Sequence, residues 1–402
     1  MKEWKKVKLG EVGKVITGKT PPTKNKDNYG GDIPFITPVD MVGNRSIFST
    51  QRYLTQLGVN SVKNCLLPVN SLCVSCIGSD MGKTVITTSP SITNQQINSL
   101  IVNDENYYLF IYYLLRTQEE KIKSLGKNAT AVPILNKSKF CEIDLLLPPL
   151  PTQHRIASIL SRYDALIENY QKQIKLLEEA AARLYKQWFV ELKFPGYQNT
   201  TIVDGVPEGW EKKKIGEVCN TIGGGTPSTK VASYYEGGKI NWVTPTDITR
   251  NKCLCLLDTE KKITDEGLKN SSAKMLPAGT ILMTSRASVG YFGICDFEVC
   301  TNQGFISCIP FEKYHQMYLL FNLMNRVDEI RIKAGGSTYL EISKSVFRNF
   351  DIICPTYSIA NLFQANVEKI IENVKNLSLQ IRHLTESRDR LLPKLMSGEL
   401  EV

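Results

Sequence analysis

Histidine is scarce in this sequence of 402 residues, and the three that occur, His154, His315 and His383, lie far apart. None of them belongs to a cluster with cysteines or carboxylates of the kind that a metal centre or a catalytic triad requires. The Cys-x-x-Cys spacing from Cys73 to Cys76 has no second pair at zinc-finger distance and is typical of a buried strand. The sequence therefore predicts no metal site.

Long apolar runs are also absent, since no segment approaches the roughly 20 apolar residues of a membrane-spanning helix. The N-terminal segment MKEWKKVKLGEV is basic, but no apolar segment follows it, which argues against a signal peptide. The 11 cysteines, an odd number, lie in apolar, strand-like surroundings and indicate reduced thiols. We expect a cytoplasmic protein that has no membrane partner.

Nucleotide-binding and cofactor-binding motifs are incomplete. Residues 78–84 resemble a phosphate-binding loop, but their glycines are four residues apart where that loop needs five. Pro148-Pro149 is followed by Leu150, not by the aromatic residue that an adenine methyltransferase places there. A chain of this length without a reaction centre is more typical of a recognition or scaffold subunit than of an enzyme. We therefore assign no catalytic residue.

Two long stretches carry apolar residues at alternating intervals of four and three, which is the a/d pattern of a coiled coil. Each position of the second stretch lies 207 residues after its counterpart in the first, and only Arg388 interrupts the pattern, where the first stretch has Ala181. Because neither helix can bury its apolar seam alone, we predict that the two pack on each other. The predicted seam consists of Ile156, Leu160, Ile167, Ile174 and Leu177 with Phe363, Val367, Ile370, Leu377 and Ile381.

Scattered identities extend this duplication to the whole chain. Thr-Asn-Gln at residues 93–95 recurs at 301–303, and Lys-Ser at 137–138 recurs at 344–345. The offset stays between 206 and 209 throughout. We infer a tandem repeat of one globular unit followed by one long helix.

Each globular repeat combines strand and helix patterns. Short β-branched runs predict strands, and Tyr107–Leu125 predicts a single helix whose counterpart covers about 314–333. Thr152 is predicted to cap the first long helix, and Pro393 to stop or kink the second. The fold class is therefore α+β, with two tandem-repeated mixed α/β domains joined by two long helices.

Positive charge is concentrated in the first repeat. The net charge of the chain is +9, and residues 1–150 contain 18 lysines and arginines against 12 acidic residues. Residues 200–355 contain 18 against 17. This distribution favours a polyanion as a partner but does not establish one.

Several strings resemble the specificity subunit of type I restriction–modification systems. They are the segment from Leu147 to Gln153, LPPLPTQ; the segment from Leu184 to Val190, LYKQWFV; the lead VPEGW into the second half; and LLPKLMSGEL at the C-terminus. The second half departs from this pattern, because residues 355–358 lack the Pro-Leu-x-x-Gln of the first half.

This resemblance implies a non-catalytic protein in which each half is a target recognition domain for one block of a split DNA sequence. It implies that the long helices pack antiparallel and dock two modification subunits. Those partners would carry S-adenosylmethionine and methylate adenine N6, while restriction subunits would add ATP- and Mg-dependent translocation and cleavage. The implied boundaries are residues 1–150 for the first domain, 151–193 for the first spacer helix, 194–209 for the linker, 210–355 for the second domain and 356–402 for the second spacer helix.

We predict DNA contacts in the loops of both halves, from cations to phosphates and from polar side chains to bases. The candidates are Thr20, Lys24, Tyr29, Lys83, Asn94, Gln95, Lys127 and Asn128, then Thr226, Lys230, Tyr235, Arg286, Asn302, Gln303, Ser337 and Tyr339. For the repeated Asn-Gln pairs, a structural turn is at least as good an explanation, because domains that read different sequences should differ at base-reading positions. Arg286 occupies the position in the second repeat that Ile77 occupies in the first, and is such a difference.

A second hypothesis is a coiled-coil scaffold that joins two β-rich modules for protein or glycan binding. The near-neutral second repeat favours it, whereas the basic first repeat and the strings above favour DNA recognition. Neighbouring genes for a methyltransferase and a translocase would separate the two hypotheses.

Overall fold

The computed structural model describes residues 4–41, 43, 45–126, 134–336 and 339–402. Its internal contacts divide the chain into two compact units. Unit 1 comprises Met1–Glu168 together with His383–Val402, and unit 2 comprises Asn169–Arg382. Each unit therefore contains one globular repeat and a piece of both long helices.

The described residues form short strands, short helices and two long helices. The helices are α1 Gln56–Ser61, α2 Tyr108–Thr117, α3 Glu119–Gly126, α4 Lys137–Cys141, α5 Leu150–Tyr185, α6 Ile215–Val218, α7 Pro245–Arg250, α8 Asp265–Lys269, α9 Gln316–Asn325, α10 Val327–Lys333, α11 Lys344–Arg348 and α12 Tyr357–Ser397. The strands are β1 Lys5–Lys8, β2 Gly13–Thr17, β3 Tyr29–Ile36, β4 Ser46–Ile47, β5 Tyr53–Leu54, β6 Leu72–Ser75, β7 Thr84–Thr87, β8 Ile92–Thr93, β9 Ile97–Val102, β10 Asp144–Leu147, β11 Ile202–Val203, β12 Val206–Pro207, β13 Glu211–Lys214, β14 Cys219–Gly223, β15 Ile240–Val243, β16 Lys261–Ile263, β17 Ile281–Thr284, β18 Phe292–Gly293, β19 Cys300–Thr301, β20 Phe305–Pro310 and β21 Asp351–Cys354. A π-helical turn, Lys186–Val190, continues α5.

Each sheet of unit 1 has a counterpart in unit 2. Unit 1 has a main sheet in the order β2-β9-β6-β7-β4, a three-stranded sheet β5-β3-β8 and the pair β1-β10. Unit 2 has β14-β20-β17-β18, β16-β15-β19 and β13-β21. In place of β4, unit 2 has a single parallel bridge between Cys255 and Ile294. The predicted duplication is thus present in the backbone topology.

Repeated sequence motifs form the same local caps in both units. The Thr37 hydroxyl donates to Asp40 at 2.7 Å, and the Thr244 hydroxyl donates to Asp247 at the same distance. The second carboxylate oxygen of each aspartate accepts a backbone N–H, from Gln51 and from Glu260, at 2.8 Å. The repeated Thr-Pro-x-Asp string therefore ties the end of a core strand to the next chain segment.

The long helix predicted in each repeat is two helices. In unit 1 the backbone leaves helical geometry at Gln118, between α2 and α3, and in unit 2 at Arg326, between α9 and α10. The second helix of each pair buries an isoleucine completely or nearly so, Ile122 at 0% and Ile330 at 1% exposure. In one straight helix, the helical period alone would determine which way these isoleucines point. The break changes the direction of the second helix, so that its isoleucine lies in the core.

Within each unit, the segments of α5 and α12 run antiparallel. In unit 1, Asp164 contacts Arg388, and Ile156 lines one cleft with Gly398. In unit 2, the rings of Trp188 and Phe363 are tilted against each other with centroids 5.9 Å apart, and Ile174 lines one cleft with Ile381. Residue numbers rise along one helix as they fall along the other in both units.

The predicted seam residues lie at these helix contacts. Ile156 and Leu160 are in the core of unit 1 together with Leu392 and Leu395, and Ile167 is buried. In the core of unit 2, Ile174, Phe363 and Val367 are buried, while Leu177, Ile370, Leu377 and Ile381 pack against it half-buried.

Arg388, which interrupts the apolar pattern, is largely buried, with 11% of its side chain exposed, and is paired instead of turning to solvent. Its guanidinium lies 2.6 Å from Asp164, whose other oxygen accepts the Tyr113 hydroxyl at 2.5 Å. Arg45 adds contacts to Asp164 at 3.9 Å and to Glu168 at 3.5 Å. Burial, followed by the charge of Asp164, raises the pKa of Tyr113. A compact charged cluster thus replaces apolar packing at this level of unit 1.

The ends of the long helices differ from the sequence prediction. Helix α5 begins at Leu150, two residues before the predicted cap Thr152. Helix α12 continues through Pro393 to Ser397, so of the predicted stop or kink the stop does not occur. Pro393 has no N–H to donate to the carbonyl of Asp389, so the helix lacks that one backbone hydrogen bond. Within the described part of the chain, every helix is too short or too polar to cross a bilayer.

Candidate nucleic-acid interface

In each unit, the loops that carry most of the predicted contact residues leave the main sheet at the same end, which we call the loop end. In unit 1 it is the end where Thr17 of β2 pairs with Asn98 and Ser75 of β6 pairs with Ile97. In unit 2 it is the end where Gly223 of β14 pairs with Ile306 and Thr284 of β17 pairs with Phe305. Most of the predicted contact residues lie in the loops that leave this end.

A hydroxyl–amide contact recurs at the loop end of both units. The Thr20 hydroxyl donates to the side-chain oxygen of Gln95 at 2.7 Å, and Thr226 donates to Gln303 in the same way. Both glutamines are exposed. The sequence prediction therefore selected pairs that the tertiary structure brings together.

The predicted tyrosines hold the same loops. The Tyr29 hydroxyl donates to the carbonyl of Pro21 at 2.8 Å, and the Tyr235 hydroxyl donates to the carbonyl of Pro227 at 2.6 Å. Both rings are half-buried. These tyrosines therefore shape the loop between the first two core strands of each repeat.

The side chains of the repeated asparagines are used within their own turns. Oδ1 of Asn94 accepts the N–H of Gln96 at 3.1 Å, and Oδ1 of Asn302 accepts the N–H of Gly304 at 2.9 Å. A β-carbon at Gly18 would lie 2.2 Å from the carbonyl oxygen of Asn94, so the neighbouring strand end packs directly on this turn. The geometry thus supports a structural role in the turn for the two asparagines. The neighbouring glutamines remain exposed.

The predicted lysines differ in their surroundings. Lys24 and Lys230 are exposed, and neither has a carboxylate within ion-pair distance among the described residues. Lys83 is half-buried, and its ammonium lies 2.5 Å from Asp80. Lys24 and Lys230 are thus available to a polyanion, whereas Lys83 is already neutralised.

The two units differ at one bridge of the loop end. In unit 1, Ile77 bridges to Ile134, which is 51% exposed. In unit 2, the equivalent bridge joins Arg286 to Glu341, and their charged groups lie 3.6 Å apart. Tyr339, near this bridge in the chain, is 62% exposed. The same backbone thus presents apolar groups in one unit and charged groups in the other.

Three of the predicted contact residues, Lys127, Asn128 and Ser337, lie outside the described residues. The residues predicted from the sequence do not include Lys137 and Lys344, which are exposed at the start of α4 and α11. The signal was present, because the Lys-Ser pair is part of the repeat, but it was used only to establish the duplication.

Two histidines and one cysteine of the kinds used in catalysis are held by ring contacts or by burial. His154 stacks on Tyr107 with ring centroids 4.0 Å apart, and His315 lies 4.8 Å from Tyr357. Burial raises the pKa of Cys73 to about 12, so this thiol is protonated at neutral pH. Residues 78–80 form a short turn that leads into strand β7, not into the helix of a phosphate-binding loop.

Known families account for this architecture. A sequence model described as the type I restriction modification DNA specificity domain matches residues 1–179 and again residues 207–386. The chain belongs to this DNA specificity family. The predicted resemblance is therefore confirmed, as are the α+β tandem fold and the assignment of a non-catalytic DNA-recognition subunit.

Individual relatives of this specificity protein agree with the family match. It is 30% identical over 418 residues to the type I restriction enzyme MjaIX specificity subunit of Methanocaldococcus jannaschii, covering 100% of this chain and 94% of the relative. It is 39% identical over 147 residues to the HindI specificity subunit of Haemophilus influenzae, covering 36% of this chain and 32% of the relative. The crystal structure of an S subunit from M. genitalium has the same fold, with a TM-score of 0.58 at 17% identity and coverage of 98% and 96%.

Proposed function

We propose that each unit of this specificity subunit reads one block of a bipartite DNA target. The observation that carries the proposal is the loop end, where equivalent strands and turns present different side chains in the two units. Thr20–Gln95 and Thr226–Gln303 keep the framework the same, while Ile77 and Arg286 occupy equivalent positions with different chemistry. A duplicated reader of two unlike blocks needs this combination of shared support and divergent contacts.

We further propose that two adenine-N6 methyltransferase subunits dock on this chain. A duplicated chain offers two similar surfaces, which suits two copies of one partner. S-adenosylmethionine would be held by those partners, and ATP and Mg by additional restriction subunits. The chain's own contribution is to bind and position the DNA.

Methylation mapping tests the bipartite target. Genomic DNA is compared between the host strain and a strain that lacks this gene, and adenine methylation should disappear from one split motif only. Restoring the gene should restore the motif. Unchanged methylation would contradict the proposal and favour a scaffold for other partners.

Purified components test the division of labour. The chain alone should neither bind S-adenosylmethionine nor methylate a duplex that carries the mapped motif. Adding the methyltransferase subunit should give a complex with two of its copies for each specificity chain, and methylation should appear. Methyl transfer by the isolated chain, free of contaminants, would overturn the non-catalytic assignment.

A further inference from the structure

Two domains that read different sequences still face the same phosphate backbone. Phosphate contacts should therefore recur at equivalent positions of the two repeats, whereas base contacts should differ. Exposed cations that are repeated at the loop end are therefore candidates for phosphate contacts, which rests on the proposed function of the two units. Lys137 in unit 1 and Lys344 in unit 2 meet this description.

Backbone hydrogen bonds place both lysines beside the loop end. Leu135 donates its N–H to the carbonyl of Cys76 at 2.9 Å, directly after strand β6. Ile342 donates its N–H to the carbonyl of Ser285 at 3.0 Å, directly after strand β17. Each lysine follows two residues later and opens a short helix.

The backbone that carries each lysine is anchored. Phe140 in α4 and Phe347 in α11 are completely buried. Side-chain oxygens cap both helices, since Asn136 accepts the N–H of Lys139 at 2.9 Å and Ser343 accepts the N–H of Val346 at 3.3 Å. A fixed backbone reduces the entropy lost when the lysine side chain binds.

The lysine ammonium groups lack acidic partners. In unit 2, a β-carbon at Gly223 would lie 3.3 Å from Nζ of Lys344, so this ammonium reaches the last residue of β14. Neither Lys137 nor Lys344 has a carboxylate within 4.0 Å in the part of the chain that is described. The repeated lysines Lys8 and Lys214 are neutralised instead, since Lys8 lies 2.9 Å from Asp144 and Lys214 lies 2.7 Å from Asp351.

We propose that Lys137 and Lys344 are equivalent phosphate-binding residues, each of which contacts the DNA backbone beside the block that its own unit reads. Lysine suits this task because its ammonium is a compact cation that binds phosphate without reading the base sequence. Both contacts contribute affinity and orientation, and neither contributes to the choice of bases.

The test uses the specificity chain assembled with its methyltransferase subunits. Variants Lys137→Ala, Lys344→Ala and the double variant are compared with Lys14→Ala and Lys313→Ala. Lys14 and Lys313 are also exposed lysines, but they lie toward the opposite ends of β2 and β20. Affinity is measured at several salt concentrations for the mapped duplex and for an unrelated duplex.

Each loop-end alanine variant should weaken binding to both duplexes by about three- to tenfold near physiological salt. It should also lower the slope of log affinity against log salt by about one, and the double variant by about two. The methylated motif should not change, and Lys137→Arg with Lys344→Arg should restore the wild-type slope.

Two results would overturn the assignment. Loop-end variants that bind like Lys14→Ala and Lys313→Ala would show that the lysines do not touch DNA. A changed motif in the methylation map would make them base-reading residues. If the wild-type assembly itself bound both duplexes equally, the proposed function would fail, and that outcome is distinct from either of these.

Discussion

Arg286 and Glu341 face each other across one backbone bridge in unit 2, with their charged groups 3.6 Å apart. Both side chains are about half exposed, so the pair adds little to stability and is free to exchange partners. The equivalent bridge of unit 1 joins Ile77 to Ile134. The contrast identifies a position at which the two units present different groups on one framework.

Arg286→Ala should relax recognition of one DNA block and leave the other unchanged. A bidentate contact from arginine to guanine is worth about 1–3 kcal/mol of discrimination, which is the expected loss at a single base position. Methylation mapping of the variant measures it. Ile77→Ala is the matched control and should affect only the other block. Equal weakening of both blocks, or no change, would assign Arg286 to a structural or phosphate contact.

Asp164→Ala should destabilise unit 1. The substitution leaves the largely buried side chains of Arg388 and Arg45 without this carboxylate, and breaking such a cluster costs about 3–5 kcal/mol. Urea denaturation of the purified chain measures the loss. Replacing Asp164 and Arg388 together by leucine should recover part of it, because Arg45 keeps Glu168 as a partner. A loss below about 1 kcal/mol for Asp164→Ala would show that the cluster is effectively solvated.

Glu178→Gln should stabilise unit 2 increasingly as pH rises. Burial raises the pKa of Glu178 above its usual 4.5, although the N–H of Leu254 at 2.6 Å partly opposes this shift. The folded state therefore holds the proton more tightly than the unfolded state. The resulting stability is present below 4.5 and is lost as pH rises through the higher folded pKa. Glutamine stays neutral and keeps an oxygen for Leu254.

Urea midpoints of wild type and Glu178→Gln, measured between pH 4 and pH 8, check this prediction. The difference in favour of the variant should grow with pH and then level off. Glu179→Gln is the control, because the Glu179 side chain is 50% exposed and its ion pair with Lys175 is long, at 3.9 Å. A difference that shrinks as pH rises would show that the carboxylate, once charged, is better satisfied in the folded state.

A seven-residue insertion in both long helices should lengthen the gap between the two DNA blocks. The sites are after Glu168 in α5 and after Arg382 in α12, where each helix passes from one unit into the other. Seven residues keep the heptad phase and add about 10 Å of helix, or roughly three base pairs at ~3.4 Å each. Methylation mapping should show both blocks unchanged around a longer gap.

Four-residue insertions at the same two sites serve as the control. They add about 6 Å and rotate the following helix by about 40°, which takes the seam out of phase. We expect these variants to lose methylation. A gap of unchanged length in the seven-residue variant would show that the loops, not the helices, determine the spacing.

The sequence by itself determined the duplication, the α+β class, the heptad pattern and the family. These features are periodic or repeated, so they can be read without knowing which distant residues meet. Thr20 with Gln95 and Thr226 with Gln303 were selected as candidates for the same reason, since both occur in repeated strings. Helix ends were less predictable, because the break at Gln118 depends on how Ile122 reaches the core.

Tertiary structure alone decided which polar side chains become partners. Arg388 looked like a fault in an apolar seam, and only the fold brings it to Asp164, 224 residues away in the chain. The bridge between Arg286 and Glu341 likewise joins segments that no local pattern connects. The physical reason is that the energy of a charge depends on burial and on its neighbours, which the path of the whole chain determines.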